Sequence, residues 1–595
     1  MKAKFLVYFL VFILSVAFVG NSYSQNKSYR LSKDTYTLPN DNNVKNSSRP
    51  VHMSIALDKG FTFGDAVIGP EQMTTLTGWY DYMTNGDNRH WILMDPADPQ
   101  KLHVHYCVSD SANPSGSTSR RTVYAYSSDG GTTWTYGTEV PQGFRSGFGY
   151  MDLKTSDGAA VIANHNTRQP TLNTHLYVDA FSQLGSFTEY LTPATNGFVA
   201  WGHADVMSNG NIILIGESYV GGNASDTLKY AIFNGTTTTP WTYLDYTSLT
   251  SNVRWATCAG ANGNVLVVSD PVSEVTVLGA NEIYGYRSTD NGATWGSRIT
   301  LFTPFVNGGT DTIAPFFGLD AAFKPGTSDY YISFNTNGNS LFKKAQLWVA
   351  KNGGAPKLVA DSSKVPNTRT MQSMAGITGI DHPSIGWSAD GNVMYCAFSV
   401  MTADTGSRGW NTRDIYYCFS TDDGTTWSNA IQVTQTPAID EGYCAISRVN
   451  PGNSPQTYVL HIVYMKDPGD GPTAFNGTNP TADPTRNWLI YRKITMPTVG
   501  VKNISTVASD YSLSQNYPNP FNPTTNIKFS IKKAGFVTLK VYDINGKEVS
   551  TLVNNKMEIG SYEYTLNASN LSSGVYFYTI KANGYTETKK MMLIK

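Results

Sequence analysis

From Trp91 to Arg492 the chain alternates short apolar and aromatic runs with turns of Gly, Asn, Asp and Ser, and the alternation repeats. Each unit starts with a strand, a tight turn and a second strand. These first halves run Trp91 to Cys107, Tyr150 to Asn164, Ala204 to Glu217, Ala256 to Ser269, Leu319 to Phe334, Pro383 to Phe398 and Tyr443 to Tyr464. Their turns include Ser156-Asp157-Gly158, Ser208-Asn209-Gly210, Ala261-Asn262-Gly263 and Ala389-Asp390-Gly391, where Gly and Asn supply the positive φ that hairpins need. A third strand follows a variable loop: Thr122 to Tyr126, His175 to Ala180, Lys229 to Phe233, Ile283 to Arg287, Gln346 to Ala350, Ile415 to Phe419 and Trp488 to Arg492. No stretch carries helical heptads or a long amphipathic helical period, so the pattern predicts an all-β fold. Seven units at intervals of roughly 50–65 residues fit the four-stranded blades of a multi-bladed β-propeller. Six blades plus an accessory hairpin is the alternative. The seventh unit stops after its third strand, and residues 50–86 precede the first unit without a partner. That segment is predicted to supply the missing outer strand and close the ring.

Three of the turns share one motif. Ser127-Ser128-Asp129-Gly130-Gly131-Thr132-Thr133-Trp134, Ser288-Thr289-Asp290-Asn291-Gly292-Ala293-Thr294-Trp295 and Ser420-Thr421-Asp422-Asp423-Gly424-Thr425-Thr426-Trp427 all read S-x-D-x-G-x-T-W. The Asp accepts backbone N–H bonds within its own turn, the Gly permits positive φ, and the Trp buries a large ring between sheets. This pattern resembles the Asp-box (bacterial neuraminidase repeat) of sialidase-like β-propellers. The resemblance implies the fold and assigns Asp129, Gly131, Trp134, Asp290, Gly292, Trp295, Asp422, Gly424 and Trp427 to structure, not to chemistry. The sialidases themselves have six blades.

The two ends change the picture further. Lys2 and Lys4, the apolar stretch Phe5 to Val19 and the small residues around Ser22-Tyr23-Ser24 read as a secretory signal over 1–24. The apolar stretch is shorter than the roughly 20 residues a membrane span takes, and no other segment reads as one. Residues 25–49 read as a flexible segment, 50–495 as the propeller and 496–510 as a linker. Residues 511–595 contain Asn516-Tyr517-Pro518-Asn519-Pro520-Phe521-Asn522-Pro523-Thr524-Thr525, Val541-Tyr542-Asp543, Gly574-Val575-Tyr576-Phe577-Tyr578 and a terminal Lys589-Lys590-Met591-Met592-Leu593-Ile594-Lys595. This is similar to the type A sorting domain of the type IX secretion system, here a small Ig-like β-sandwich. The resemblance implies export through the periplasm and across the outer membrane of a Gram-negative bacterium. Its partner is then the secretion machinery, and the product is released or surface-attached.

Charge agrees with a cargo and a tag. Residues 511–595 hold ten Lys and five acidic residues, a net of +5, and the chain between signal and tag holds 32 basic and 40 acidic residues, about −8. An acidic cargo argues against nucleic acid as a partner, and none is expected. The abundance of Tyr (36), Phe (26) and Trp (12) with only 15% charged residues suits an aromatic-packed extracytoplasmic β protein. Cys107, Cys258, Cys396, Cys418 and Cys444 match no zinc spacing; Cys396 and Cys418 fall on neighbouring strands, which leaves a disulfide open.

Candidate chemistry follows from topology. The S-x-D-x-G-x-T-W turns join third to fourth strands, so the starts of the inner strands and the loops between second and third strands share the opposite face. That face collects Arg89, Trp91, Arg145, Trp201, His203, Asp205, Arg254, Trp255, Asp381, His382, Glu441 and Tyr443, with Arg120, His165, Glu217, Tyr219, Arg408, Arg413 and Asp467 from the second loop set. The sialidase resemblance implies three Arg that clamp a carboxylate, for which Arg89, Arg145 and Arg254 are the residues present. It also implies a Tyr nucleophile polarised by Glu (Tyr443 or Tyr219 with Glu217 or Glu441) and an Asp acid, Asp205 or Asp381. Where the enzymes start with F-R-I-P, this chain has Gly143-Phe144-Arg145-Ser146. Trp91, Trp201 and Trp255 offer indole faces for sugar rings. The His203/Asp205 and Asp381/His382 spacings fit no ligand set, and the Asp467 to Asp483 loop lacks the EF-hand order, so no metal is assigned. No phosphate-cradling loop, G-x-S-x-G elbow or redox C-x-x-C is present and no cofactor is assigned. The expectation is a secreted or cell-surface propeller acting on or binding extracellular glycans through the face opposite the Asp-box turns. The alternative is a non-catalytic surface scaffold for protein binding or adhesion.

Overall fold

The computed structural model describes residues 49–51, 61–63, 66–83, 90–114, 118–168, 173–192, 197–220, 223–244, 253–271, 282–307, 311–337, 345–365, 379–407, 409–451, 457–469, 485–505, 507–557, 559–568 and 571–595. The secretory signal, Arg89 and Arg408 lie outside them, as do most of residues 25–49 and of the loop between Asp467 and Asp483. None of the described residues is helical, and the chain divides into two units.

The first unit is a propeller of seven blades, each built on four antiparallel strands; Phe305–Asn307 adds a fifth strand to the sheet of blade 5 and Val449–Asn450 a parallel one to that of blade 6. Blade 1 is Ile92–Met94, Leu102–Val108, Arg121–Ser127 and Thr135–Glu139, and blade 2 is Ser146–Leu153, Ala160–Asn166, Asn173–Asp179 and Phe187–Tyr190. Blade 3 is Phe198–Val206, Ile212–Val220, Asn223–Phe233 and Thr242–Tyr243; blade 4 is Val253–Ala259, Val265–Pro271, Ile283–Ser288 and Ile299–Phe302. Blade 5 is Asp311–Phe323, Tyr330–Asn337, Gln346–Lys351 and Lys357–Ala360; blade 6 is Ile380–Ser388, Met394–Thr405, Asn411–Ser420 and Ile431–Gln432. Blade 7 is Asp440–Ile446, Thr457–Asp467 and the start of Asn487–Ser505, and its outer strand is Gln72–Gly78. That outer strand comes from the segment expected to close the ring. The inner strands neighbour one another in sequence order, and the seventh contacts the first.

The core sits between blades. Leu93, Tyr124, Met151 and Ile162 pack blade 1 on blade 2, and Leu76, Tyr106, Val463 and Leu489 pack blade 7 on blade 1. Each sheet therefore buries both faces against its neighbours, which is why second strands such as Met394–Val400 are apolar almost throughout.

The three S-x-D-x-G-x-T-W turns adopt one geometry. In the first, Ser127 Oγ donates to Asp129 Oδ1 at 2.8 Å, Gly131 N donates to Ser127 Oγ at 2.9 Å, and Thr133 N and Oγ1 donate to the two Asp129 oxygens at 2.8 and 2.6 Å. The same bonds recur at Asp290 and Asp422. Each turn is also wedged against the preceding blade. Gly131 has φ +89°, and a Cβ there would lie 2.2 Å from the Tyr491 ring; the Trp134 ring is 5.2 Å from the same tyrosine. The Trp295 ring lies 5.5 Å from Tyr230 of blade 3. Local turn chemistry thus doubles as the glue between sheets. All five cysteines are buried free thiols, and Cys396 and Cys418 are direct cross-strand partners in blade 6.

Ring closure is fixed by charge as well as by pairing. Glu71, just ahead of the closing strand, accepts from Lys466 Nζ at 2.8 Å, Arg492 Nη2 at 2.7 Å and Tyr464 Oη at 2.9 Å. Burial alone would raise its pKa, but the two cations outweigh burial and hold it down at about 2.

The second unit contains residues 47–69 and 494–595 among its segments. One sheet holds Thr524–Ile531, Gly560–Asn567 and Ser512–Leu513; the other orders Glu548–Met557, Gly535–Tyr542, Gly574–Ala582 and Tyr585–Leu593. Their alternating inward residues, among them Ile527, Phe529, Leu539, Tyr564 and Ile580, form a separate core. Residues 496–510, expected as a linker, remain β-strand as far as Ser505. Phe61–Phe63 and Ala66–Ile68, inside the range expected for the propeller, pair with this strand at Ile494 to Gly500.

Two outcomes are expected from this packing. Gly131→Ala should lose about 3 kcal/mol in denaturant unfolding, from left-handed backbone plus overpacking on Tyr491. Gly143→Ala, at φ +77° with nothing within 4 Å, should lose only the backbone share, about 1 kcal/mol. Because Glu71 titrates below its ordinary 4.5, its contribution is present above that value and is lost as pH falls from 4.5 towards 2. Acid-unfolding curves of Glu71→Gln should show a shallower pH dependence across that window than those of the parent chain.

Candidate functional site

The inner strands begin with a repeated irregularity. Ladder pairing slips in blades 2, 3, 5, 6 and 7 near their starts, as β-bulges do when they re-aim a side chain. At the starts of the inner strands of blades 1, 2, 3, 6 and 7 five non-glycine residues have positive φ: His90 (48°), Phe148 (51°), Trp201 (51°), His382 (49°) and Tyr443 (52°). Left-handed backbone costs about 1–2 kcal/mol at each. A glycine beside the bulge lets the preceding blade approach. A Cβ at Gly147 would lie 2.3 Å from Arg120, one at Gly202 2.2 Å from Thr174, and one at Gly442 2.2 Å from Arg413.

Two of these starts repeat one motif. The Arg120 guanidinium lies 4.7 Å from the Phe148 ring centre, donates to His165 Nε2 at 3.0 Å and to the Tyr80 hydroxyl at 3.3 Å. The Arg413 guanidinium lies 4.5 Å from the Tyr443 ring and is held by Asp440 through Nε (3.0 Å) and Nη2 (2.6 Å). Phe148 did not figure among the sequence candidates. Its signal is the Gly147-Phe148-Gly149 string, which parallels Gly442-Tyr443.

Arg448 was also missed, and it organises the centre. Its guanidinium donates to Asp205 Oδ1 at 2.8 Å, the Tyr150 hydroxyl at 2.9 Å, the Thr257 carbonyl at 2.7 Å and His90 Nε2 at 3.1 Å. His90 Nε2 lies 3.7 Å from Asp320, and the Arg448 carbonyl accepts from Trp387 N at 2.9 Å. One residue of blade 7 therefore bonds directly to five other blades, and His90 extends the network to Asp320 of blade 5. Asp205 also accepts from the Thr257 hydroxyl. Burial would raise the Asp205 pKa, but Arg448 and His90 hold it below the usual carboxylate range; burial and Arg448 both push the His90 pKa down. His203 stacks on Tyr150 with 4.0 Å between ring centres.

The structure places the remaining candidates as follows. Asp381 is buried and accepts from His382 Nδ1 at 2.7 Å; the His382 ring lies 4.6 Å from that of Tyr443. Glu441 accepts from Thr436 Oγ1 at 2.9 Å and lies 3.2 Å from Lys466; burial raises its pKa against the pull of Lys466. Tyr443 meets His382, Arg413 and Trp91, while Asp205 belongs to the Arg448 network, so the two Asp candidates serve different clusters. Arg254 lies 3.9 Å from Asp270, whose pKa burial lifts to about 6. Arg145 is half-buried; burial and the neighbouring Arg120 lower its pKa to about 10. Of the three indole platforms, Trp91 and Trp255 are buried and Trp201 is half-buried, 5.8 Å from His165. Asp467, with its pKa raised to about 8 by burial and by Asp81, accepts from Gly469 N at 2.8 Å. Among the described residues no group of three or more His, Cys, Asp or Glu is placed to hold a metal ion. No described helix is long and apolar enough to cross a membrane. A cleft of about 260 Å³ between the outer strands of blades 4 and 5, lined by Phe302, Phe305 and Gly353 among others, lies on a different part of the unit.

Comparison with known proteins identifies one part of the chain. Residues 515–595 match the secretion system C-terminal sorting domain. The chain is accordingly a type IX secretion cargo, destined for the cell surface or beyond. No curated protein matches it. Among solved structures it is similar to a protein of unknown function from Dyadobacter fermentans (10% identity, TM-score 0.35, covering 72% of this chain and 99% of that one). It is also similar to PorZ, a surface component of the type IX secretion system of Porphyromonas gingivalis (13%, TM-score 0.38, 91% and 65%). A third is the NanB sialidase of Streptococcus pneumoniae (9%, TM-score 0.35, 74% and 71%).

The Arg448 network predicts its own sensitivity. Arg448→Ala leaves Asp205 buried without its cation and should destabilise the propeller by about 3–5 kcal/mol, read from denaturant unfolding. Asp205→Asn in the same background should recover part of that loss, since the stranded charge goes with it.

Proposed function

We propose that the propeller, residues 50–495, binds extracellular acidic glycans through the face at which its inner strands start, and that 511–595 serve as its export tag. The observation that carries this reading is the set built from Arg120, Arg145, Phe148, His165 and Trp201. Its half-buried members are the Trp201 ring, suited to a pyranose face, and the Arg145 guanidinium, suited to a sugar carboxylate, with buried Arg120, Phe148 and His165 behind them. After burial, the neighbour that most lowers the Arg145 pKa is the Arg120 cation, a repulsion that an anionic ligand would relieve. Hydrolysis by a carboxylate pair finds less support. Asp205 is engaged by Arg448 and Thr257, and Asp381 by His382, so both are already tied into the fold. The S-x-D-x-G-x-T-W turns act as Asp-boxes in the structural sense, on the other face.

The test is an immobilised glycan array probed with the mature chain, reading retention and released product together. Retention on carboxylated glycans without product release is the expected outcome. Trp201→Ala should weaken retention at least about tenfold, the loss of one stacked aromatic anchor. Arg145→Ala should erase the preference for carboxylated over neutral glycans. Turnover of any glycan would replace binding by catalysis, and absence of retention across the array would turn the reading to a protein partner.

A further inference from the structure

The cationic and aromatic groups at the start of blade 2 continue outward past Arg145, link by link. The Trp201 ring lies 5.8 Å from that of His165, and His165 accepts from Arg120 at 3.0 Å. Arg120 is bonded in turn to the chain neighbour of Arg145: Ser146 N donates to the Arg120 carbonyl at 3.0 Å, and Arg120 Nε donates to the Ser146 carbonyl at 3.3 Å. Across the first two strands His165 pairs with Gly147 and Asn166 with Ser146, and Thr167 N extends the ladder onto the Arg145 carbonyl at 3.1 Å. One rung further out Arg168 stands opposite Phe144, its guanidinium 5.4 Å from the ring centre.

The outer end of this row is open. Phe144 is 39% exposed and the Arg168 side chain 46%, and a Cβ on Gly143 would meet nothing within 4 Å. Arg168 is nonetheless anchored. It pairs with Glu189, which also accepts from His175 Nδ1 and the Tyr177 hydroxyl at 2.8 Å each. From His165, beside Trp201, to Arg168, beside Phe144, is three residues, about 10 Å of extended chain. That exceeds one pyranose ring and suits two linked ones. Charge points to the same occupant. Arg120, Arg121, Arg145 and Arg168 face only Glu139 and Glu189 as their paired acids, so the row is cationic on a cargo of about −8 and draws a polyanion to this place.

We propose that Trp201, Arg145, Phe144 and Arg168 form one open strip that takes two successive residues inside a carboxylated polysaccharide, with an aromatic platform and a guanidinium for each ring. This rests on the acidic-glycan reading above, and adds that the ligand is an interior stretch of a polymer, not a terminal sugar. The mature chain is titrated calorimetrically with oligogalacturonates and oligomannuronates of one to six residues, and with a glycan whose single carboxylate is a terminal sialic acid. In the series that binds, affinity should rise at least about tenfold from one residue to two and then level off, as a second anchor is filled. Phe144→Ala and Arg168→Ala should each weaken binding of the hexamer at least about fivefold and leave the monosaccharide unaffected, whereas Trp201→Ala weakens both. Phe144→Tyr, which keeps the ring, should bind as the parent does. Thermal melting of Phe144→Ala should match the parent, because that ring is exposed. Equal affinity for one residue and six, or parental binding of the hexamer by Phe144→Ala and Arg168→Ala, overturns the strip. Preference for the sialylated glycan over both hexamers also overturns it and leaves the acidic-glycan reading standing. Absence of binding to every carboxylated probe overturns that reading itself.

Discussion

Seven inner strands converge on one axis, and the ion pair of Arg448 with Asp205 lets them meet without stranding a charge. Asp205 is withdrawn from water and Arg448 largely so, which costs several kcal/mol for a fully buried ion, and their attraction repays this only if the remaining donors are also used. They are used here: the other guanidinium bonds go to Tyr150, the Thr257 carbonyl and His90. Elsewhere the blades are joined by apolar packing, which tolerates small rotations, and by pairwise ties such as Arg413–Asp440 and Arg120–His165. A planar, five-donor fork at the axis does not, and it fixes the blades in one relative arrangement.

The starts of the inner strands show the opposite economy. Left-handed backbone at His90, Phe148, Trp201, His382 and Tyr443 is unfavourable at each site, yet it recurs around the ring. Such strain persists only where surrounding contacts over-determine it. Those contacts are visible: Arg120 presses past Gly147 onto Phe148, and Arg413 past Gly442 onto Tyr443. Phe148 and Tyr443 thereby join the apolar core between blades. The apolar cores between blades therefore supply the stability that holds a collar of aromatic and imidazole groups in place.

What could be read from the sequence was what is local. The S-x-D-x-G-x-T-W turns are legible because Ser127, Asp129, Gly131 and Thr133 complete their bonds within seven residues. The blade count followed from hairpin turns of the same kind, and the sorting domain from a block whose side chains hold one another. Arg448 was not legible, because its partners His90, Tyr150, Asp205 and Thr257 lie 191 to 358 positions away and nothing near it marks the axis. The same limit explains Trp91 and Trp255. Both stand at the expected starts of strands, but only packing decides that they are buried, while Trp201 keeps part of its ring at the surface.

That division bears on function. A carboxylate named by its place at the start of an inner strand is as apt to be a tie between blades as an acid, and Asp205 and Asp381 are both already bonded. Chemistry at this face must come from groups whose bonding capacity the fold has not consumed. His382 is a case in point: Asp381 fixes its Nδ1 as the donor, so Nε2 is the acceptor, and the buried Nε2 has no hydrogen-bond partner among the described residues. The Tyr443 hydroxyl is likewise buried and without a partner among the described residues, with its ring 4.6 Å from that of His382. Two unsatisfied polar atoms beneath the same face cost free energy in the ligand-free protein.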